Sequence, residues 1–524
     1  MKPLESPEVG SPERKADVAE TAPASLRANV IFNYASQAWV ILAGLAAMPF
    51  YLGRLGAEAY GLIGFFTLLN AWFQILDAGL SLTLARECAR YRAGAIDAAL
   101  LRAISGFLER IFYGVAAVGA AIVVAAAPLL ARHWLHVQTL PAGEVTTAIL
   151  LMGLTVPLQW VTGLYRGALN GFERQASLGA FNMAIATLRY GGAAVVLVAG
   201  PPSILNFFSY QLGVSIIELA ALAWMGHAAL PAAAERRRLT RTDVAGLTTF
   251  AGGMAFAVIT WTLINQVDKL ILSKMLPLAV YGVFSLAVIA ANGITIVGTP
   301  ISVAVLPRMV KIMAEGDDDA FERLYRRATE FICLATGPAA IVLALYARPV
   351  MMAWTGDATV AAEAAPILTP YALGAAAMAL GSFPYYLQYA RGDLRLHVIG
   401  SLLLLSLMAP AVTLAALRYG AVGAGYAWMS LHLGFFLFWA PVVHARFAPG
   451  LHWRWLVGDV APVLAAAGVA AWAFRVIGPS PVGRIDSALT VLVAAVITGA
   501  AAAAATPIVR QWFAALAHRL AAAR

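Results

Sequence analysis

Residues 52–62 read Leu-Gly-Arg-Leu-Gly-Ala-Glu-Ala-Tyr-Gly-Leu, and the Tyr60-Gly61 pair within them returns 221 residues later as Tyr281-Gly282. The same offset relates Glu109 to Glu330, Pro128 to Pro349, Gly171 to Gly392, Arg174 to Arg395, Gly179 to Gly400 and Gly213 to Gly434. In a chain rich in Ala and Leu the weight lies with such uncommon residues. Their recurrence at corresponding points predicts one structural unit used twice. Paired halves around a midplane cavity are an architecture of alternating-access transporters.

Composition says which solvent the unit meets. Of 524 residues, 61% are hydrophobic and 12% charged, against roughly 25% charged in a soluble domain. A bilayer span needs about 20 apolar residues. Fourteen such stretches begin at Asn29, Tyr60, Gly106, Val145, Leu178, Ile204, Gly246, Pro277, Thr329, Val360, Leu396, Ala421, Leu456 and Ile485. The expected fold is an all-α integral membrane protein of about 14 transmembrane helices. Two six-helix bundles, at 28–228 and 246–448, are joined by a basic linker at 229–245. Two extra helices follow at 449–509. A polar, proline-bearing tail at 1–27 reads as disordered and lacks the form of a cleaved signal peptide. Residues 510–524, with Trp512, Phe513, Leu516 and Leu520 on one side, suit an amphipathic interfacial helix.

Loop charge gives orientation. Loops after even-numbered spans carry nineteen Lys and Arg residues, with Arg166 and Arg174 among them, and loops after odd-numbered spans seven. Both termini are therefore expected in the cytoplasm. The halves point the same way, so the repeat is parallel, with its axis along the membrane normal. The net charge of +9 is then topology, and no nucleic-acid partner is expected. Cys88 and Cys333 fall near cytoplasmic helix ends, where a disulfide is not expected, and two thiols make no zinc site alone.

No connection is long enough for a catalytic domain; the longest runs from Pro307 to Ala328. The phosphate-binding Gly-x-x-x-x-Gly-Lys pattern is missing, so the chain is not expected to carry its own ATPase. Asp317-Asp318-Asp319 reads as a cap on a short surface helix. His397, His432 and His444 sit on different helices and read as packing or interfacial residues. No metal, cofactor or enzymatic activity is expected.

Polar residues inside spans are informative because an ionised one costs roughly 2.5–3.5 kcal/mol at a helix centre. Asn29, Asn33 and Gln37 share a face of span 1; Asn70, Gln74 and Asp77 share a face of span 2. Trp261, Asn265 and Asp268 do so in span 7, with Lys269 one turn beyond Asn265, and span 8 adds Asn292. Interhelical hydrogen bonding is one reading. The set on spans 1, 2, 7 and 8 favours the other, a hydrated cavity whose candidates are Asn33, Gln37, Asn70, Gln74, Asn265, Lys269 and Asn292. Arg189 and Glu218 lie 12 and 16 residues from the Pro201-Pro202 turn, a depth difference of about 6 Å that a long arginine spans. Both a neutralising pair and an anion-binding arginine restrained by Glu218 fit.

The motifs carry a resemblance. The 52–62 stretch, Leu76-Asp77-Ala78-Gly79-Leu80-Ser81, Gly167-Ala168-Leu169-Asn170-Gly171-Phe172-Glu173-Arg174 and Gln266-Val267-Asp268-Lys269-Leu270-Ile271-Leu272 running on to Val280-Tyr281-Gly282 resemble bacterial polysaccharide-lipid flippases. These belong to the multidrug/oligosaccharidyl-lipid/polysaccharide export superfamily, and the likeness covers roughly residues 26–450. It implies a cavity lined mainly by spans 1, 2, 7 and 8. It implies a polyprenyl-diphosphate-linked oligosaccharide as substrate, moved across the bacterial inner membrane by alternating access for cell-surface polysaccharide synthesis. Membrane lipids and a polysaccharide polymerase or export complex are the implied partners. The diphosphate needs cations in a low-dielectric cavity, and the candidates are Arg189 and Lys269, fewer than such a cavity leads one to expect. If transport is ion-coupled, Asp77, Asp268 and Glu218 are the candidate carriers. Two alternatives stand beside this reading: a multidrug or organic-cation exporter of the same superfamily, and a membrane polymerase or glycosyltransferase acting on the same lipid.

Overall fold

The computed structural model describes residues 26–506 apart from 234 and 236. The leading tail up to residue 25 and the tail at 510–524 lie outside the described residues. The first half contains α1 (Leu26–Leu55), α2 (Ala57–Asp77), α3 (Leu80–Arg92), α4 (Ala98–Leu129), α5 (Ala142–Gly171), α6 (Gln175–Ala186), α7 (Ala193–Ala199) and α8 (Ile204–Ala229). The second contains α9 (Arg241–Met275), α10 (Leu278–Glu315), α11 (Asp318–Leu345), α12 (Ala347–Thr355), α13 (Ala358–Arg391), α14 (Arg395–Gly434) and α15 (Ala440–Phe447). Then come α16 (Leu451–Trp455), α17 (Ala461–Ile477) and α18 (Arg484–Ala505). Among the described residues the extended structure amounts to one isolated bridge, His136 with Pro277.

Twelve segments among the described residues are long and apolar enough to cross a membrane, against fourteen expected. One of them, Arg395–Phe447, has 53 residues, about 80 Å as a straight helix. It reverses at Gly420, whose φ of 60° and ψ of −146° break the helical path, and so holds the two spans expected from Leu396 and Ala421. The 35-residue α9 covers the span expected from Gly246.

The duplication is legible in the helices themselves. Shifted by 221, the start of α2 at Ala57 falls on the start of α10 at Leu278. The starts of α4 and α6, at Ala98 and Gln175, fall within one residue of those of α11 and α14, at Asp318 and Arg395. The repeated glycines then meet each other. A Cβ on Gly61 would lie 2.2 Å from the Leu278 carbonyl oxygen, and one on Gly282 would lie 2.4 Å from the Ala57 carbonyl oxygen. Both contacts are the same contact exchanged between halves, which is the mark of a two-fold relation. Gly64 faces Ser285, again its own equivalent. α2 and α10 therefore cross on the pseudo-two-fold axis at glycine distance, as small residues permit in membranes.

Packing is uneven along that axis. One apolar cluster takes Tyr51, Tyr60 and Phe208 from the first half and Tyr281, Phe284 and Tyr371 from the second. It lies at the arginine-poor ends of the spans. At the arginine-rich ends the cores are separate. Phe112, Trp160 and Tyr165 anchor the first half's own cluster, which Leu247 at the start of α9 joins. Tyr325, Phe383 and Trp455 anchor the second half's. The shared cluster joins the halves at one end of the spans, and at the other end each half keeps a cluster of its own.

Candidate functional site

A largely buried cluster of charged side chains lies inside the first half. Arg189 sits in a π-turn, Thr187–Gly192, set between α6 and α7. A π-turn shifts backbone carbonyls out of the helical ladder, and each freed acceptor needs a donor. The Tyr210 hydroxyl donates to the Leu188 carbonyl at 2.7 Å, and the Tyr51 hydroxyl donates to the Tyr190 carbonyl at 2.7 Å. This clamps the segment that carries Arg189.

From there the Arg189 guanidinium meets one oxygen of Glu218 on α8. The other oxygen, Oε1, is 2.6 Å from Nη2 of Arg166 on α5. Arg166 also donates to Asn182 Oδ1, and Arg189 to Gln211 Oε1 at 3.4 Å. Glu218 is 5% exposed. Two guanidiniums therefore share one carboxylate, leaving one unit of positive charge. In a partly dry site, at an effective dielectric near 20, charges 4 Å apart interact by about 4 kcal/mol.

Two neighbouring cavities flank this triad. One, of about 310 Å³, is lined by Ser36, Gln37, Asn182 and all three charged groups. The other, of about 340 Å³, is lined by Thr67, Asn70, Gln159, Thr162 and Gln211 together with Arg189 and Glu218. Arg189, Tyr190 and Glu218 belong to both. The walls thus offer hydroxyls and amides around a small excess of positive charge, a lining that suits an oxygen-rich anion.

The structure brings together Gln37, Asn70, Arg189 and Glu218. Gln74 and Asn292 are exposed and line neither cavity. The Asn265 amide donates to the Trp261 carbonyl at 2.8 Å in its own helix. Lys269 lies 3.2 Å from Asp268 and also bonds the Asn265 carbonyl. Asp268 is fully buried in the second half and accepts from the Tyr371 hydroxyl at 2.7 Å. Asp77 ends α2 and accepts from the Ser81 amide at 3.1 Å and the Ser81 hydroxyl at 2.7 Å, so its carboxylate holds the turn into α3. The side chain of Asn33 lies outside the described residues.

Arg166 corrects the sequence reading, which placed it in a loop. α5 runs on to Gly171, so Arg166 is five residues, about 8 Å, inside its helix. The available signal was its setting: Thr162 to Leu169 holds no other charged residue. Among the described residues no group of three or more His, Cys, Asp or Glu is placed to hold a metal.

Residues 26–313 match the family model described as polysaccharide biosynthesis protein. The chain belongs to that family. No curated protein sequence matches it. Among solved structures it is similar to the lipid II flippase MurJ in an inward closed conformation, with a TM-score of 0.68 and 12% identity over 90% of this chain and 97% of that one. It is similar to an inward-facing multidrug resistance MATE family transporter of the MOP superfamily, with a TM-score of 0.60 and 14% identity over 78% and 96%. A third likeness is to the MATE multidrug transporter DinF-BH, with a TM-score of 0.53 and 13% identity over 82% and 96%. At these identities the likeness is one of fold. The chain is a multi-pass membrane member of the polysaccharide biosynthesis family with the fold that flippases and drug transporters share. Within that fold, this family member's triad draws on α5, α8 and the π-turn, all in the half that the family model covers in full.

Proposed function

We propose that the protein is a flippase, moving a polyprenyl-diphosphate-linked oligosaccharide from the cytoplasmic to the outer leaflet of the bacterial inner membrane for a polysaccharide polymerase or export complex to use. It makes and breaks no bond. The observation that carries this reading is the paired-arginine cavity. Arg166 and Arg189 supply an excess positive charge for the diphosphate, and Gln37, Asn70, Gln159 and Gln211 supply amide partners for sugar hydroxyls. An organic-cation exporter would be served by the opposite sign of charge.

With both termini cytoplasmic, as the loop charges favour, the α2–α10 crossing lies at the outer face. The core shared by the halves, taken as 28–228 and 246–448, then seals the outer side. The buried Asp268, held by Lys269 and Tyr371 at the outer end of α9, is the carboxylate best placed to sense a coupling ion as the seal opens.

The test is reconstitution in liposomes with a fluorescent lipid-diphosphate-oligosaccharide. Wild-type protein is expected to expose the label to an impermeant reagent, and Arg189→Gln to slow this at least about tenfold, a change of about 1.4 kcal/mol in transport barrier. Efflux of a cationic drug without lipid movement would overturn the proposal.

A further inference from the structure

Glu218 is not an ordinary ion-pair partner. Each of its oxygens goes to a different arginine rather than both to one fork. The two guanidiniums thus frame a gap the width of a carboxylate or of two phosphate oxygens, and Glu218 fills it. Each guanidinium has five N–H donors, more than Glu218, Asn182 and Gln211 occupy. Arg189 and Glu218 line both cavities and Arg166 lines the first, so the triad stands at the partition between them. The three charges of the triad are the only charged residues in either lining among the described residues.

We propose that Glu218 is a placeholder anion: the anionic group of the ligand takes its place between Arg166 and Arg189, and the Glu218 side chain withdraws. This rests on the reading of the cavity as the headgroup site. An empty cavity with two facing guanidiniums would repel itself and leave desolvated charge uncovered, and Glu218 covers both until a ligand arrives. The ligand must then compete with a carboxylate tethered in place, which acts at high effective concentration. Affinity is lowered and release is hastened, as a carrier that must discharge its load at the far side requires. The ligand chemistry is an oxyanion with two adjacent oxygens. It can come from the diphosphate or from a carboxylate on an acidic sugar.

The experiment measures binding by calorimetry to the full chain in nanodiscs, with inorganic pyrophosphate, glucuronate and neutral glucose as probes. Glu218→Gln is expected to bind pyrophosphate or glucuronate at least about tenfold more tightly than wild type, with glucose unchanged and transport slowed by delayed release. The anion that gains identifies the source. Adding Arg189→Gln to Glu218→Gln is expected to cancel the gain. Equal or weaker binding of both anions by Glu218→Gln overturns the proposal, since a merely structural ion pair would loosen the site when broken. If Glu218→Gln lowers the melting temperature too far for calorimetry, Glu218→Asp, one methylene shorter, is expected to gain by about threefold, and no gain there is equally fatal. A wild type that flips lipid while Glu218→Gln shows no anion gain removes the placeholder and keeps the flippase. An anion gain without lipid flipping does the reverse.

Discussion

At the residue scale, Gly192 decides whether Arg189 can be where it is. A Cβ there would lie 1.8 Å from the Tyr210 hydroxyl oxygen, and that hydroxyl is tied to the Leu188 carbonyl. Gly192→Ala must therefore push Tyr210 off the π-turn, at a cost of about 1–3 kcal/mol for an overpacked site. Transport is expected to fall with it. Tyr210→Phe removes the nearest clashing atom, leaving the ring carbon Cζ at 2.6 Å, and frees the ring to shift by removing one hydrogen bond, worth about 1 kcal/mol. The double variant Gly192→Ala with Tyr210→Phe should then be more active than Gly192→Ala alone in the liposome assay; equal loss in both would mean the π-turn does not position Arg189. This scale also shows how far the sequence could be read. The Arg189–Glu218 pair followed from counting residues back from Pro201-Pro202, because depth along a helix is fixed by its rise. Arg166 did not, because a residue near a helix end reads like a loop residue until the end is placed. Gln37 and Asn70 share helical stripes with Asn33 and Gln74, yet Gln74 lines neither cavity. Helical spacing tells which residues share a face, not what that face meets.

At the scale of elements, the pieces with no counterpart in the repeat are α16 to α18, and their anchoring is specific. Another π-turn, Leu456–Val460, carries Asp459, which is fully buried and meets Arg326 of α11 through two bonds of 2.7 and 2.8 Å. The Trp455 indole donates to the Thr329 hydroxyl at 2.9 Å, and the Tyr346 hydroxyl donates to the Ala471 carbonyl at 2.8 Å. The added helices are thus bolted to the second half. Asp459→Ala strands a guanidinium that is one third exposed. Its expected cost of about 3 kcal/mol lies at the low end for breaking a buried pair, because water reaches Arg326. Asp459→Asn keeps an acceptor and should cost less. Melting of the purified protein in detergent checks both, and the order Ala below Asn below wild type is the expected result. The sequence marked these helices as outside the repeat but held no hint of the anchor. Asp459 is a lone acid in an apolar run, and its partner lies 133 residues away.

At the scale of the molecule, the duplicated Tyr-Gly pair marks where the two halves meet most closely. The shared core of Tyr60, Tyr281 and Phe284 sits where α2 and α10 cross, and the contact there is backbone against glycine. The seal extends sideways through longer residues. The Trp354 indole donates to the Leu45 carbonyl at 2.8 Å, the Trp134 indole to the Ser273 hydroxyl at 3.0 Å, and the Leu278 amide to the His136 carbonyl at 2.9 Å. The transport proposed above requires this seal to open: side chains could then swing aside, whereas backbone atoms facing Gly61 and Gly282 could part only if whole helices separate. Gly61→Ala places a methyl group 2.2 Å from the Leu278 carbonyl and cannot be absorbed by a rotamer change. It is expected to shift the population away from this sealed state, and Gly282→Ala should do the same by the same amount because the contact is two-fold. The two changes act on one interface, so their effects should fall short of additive: once the first has parted the helices, the second meets little resistance. Spin labels on Leu45 and Trp354 positions, read as a distance distribution, would report it. Two single variants that leave the sealed distance in place, or a double variant whose shift is the full sum, would mean that the crossing of α2 and α10 is not where the halves are held together.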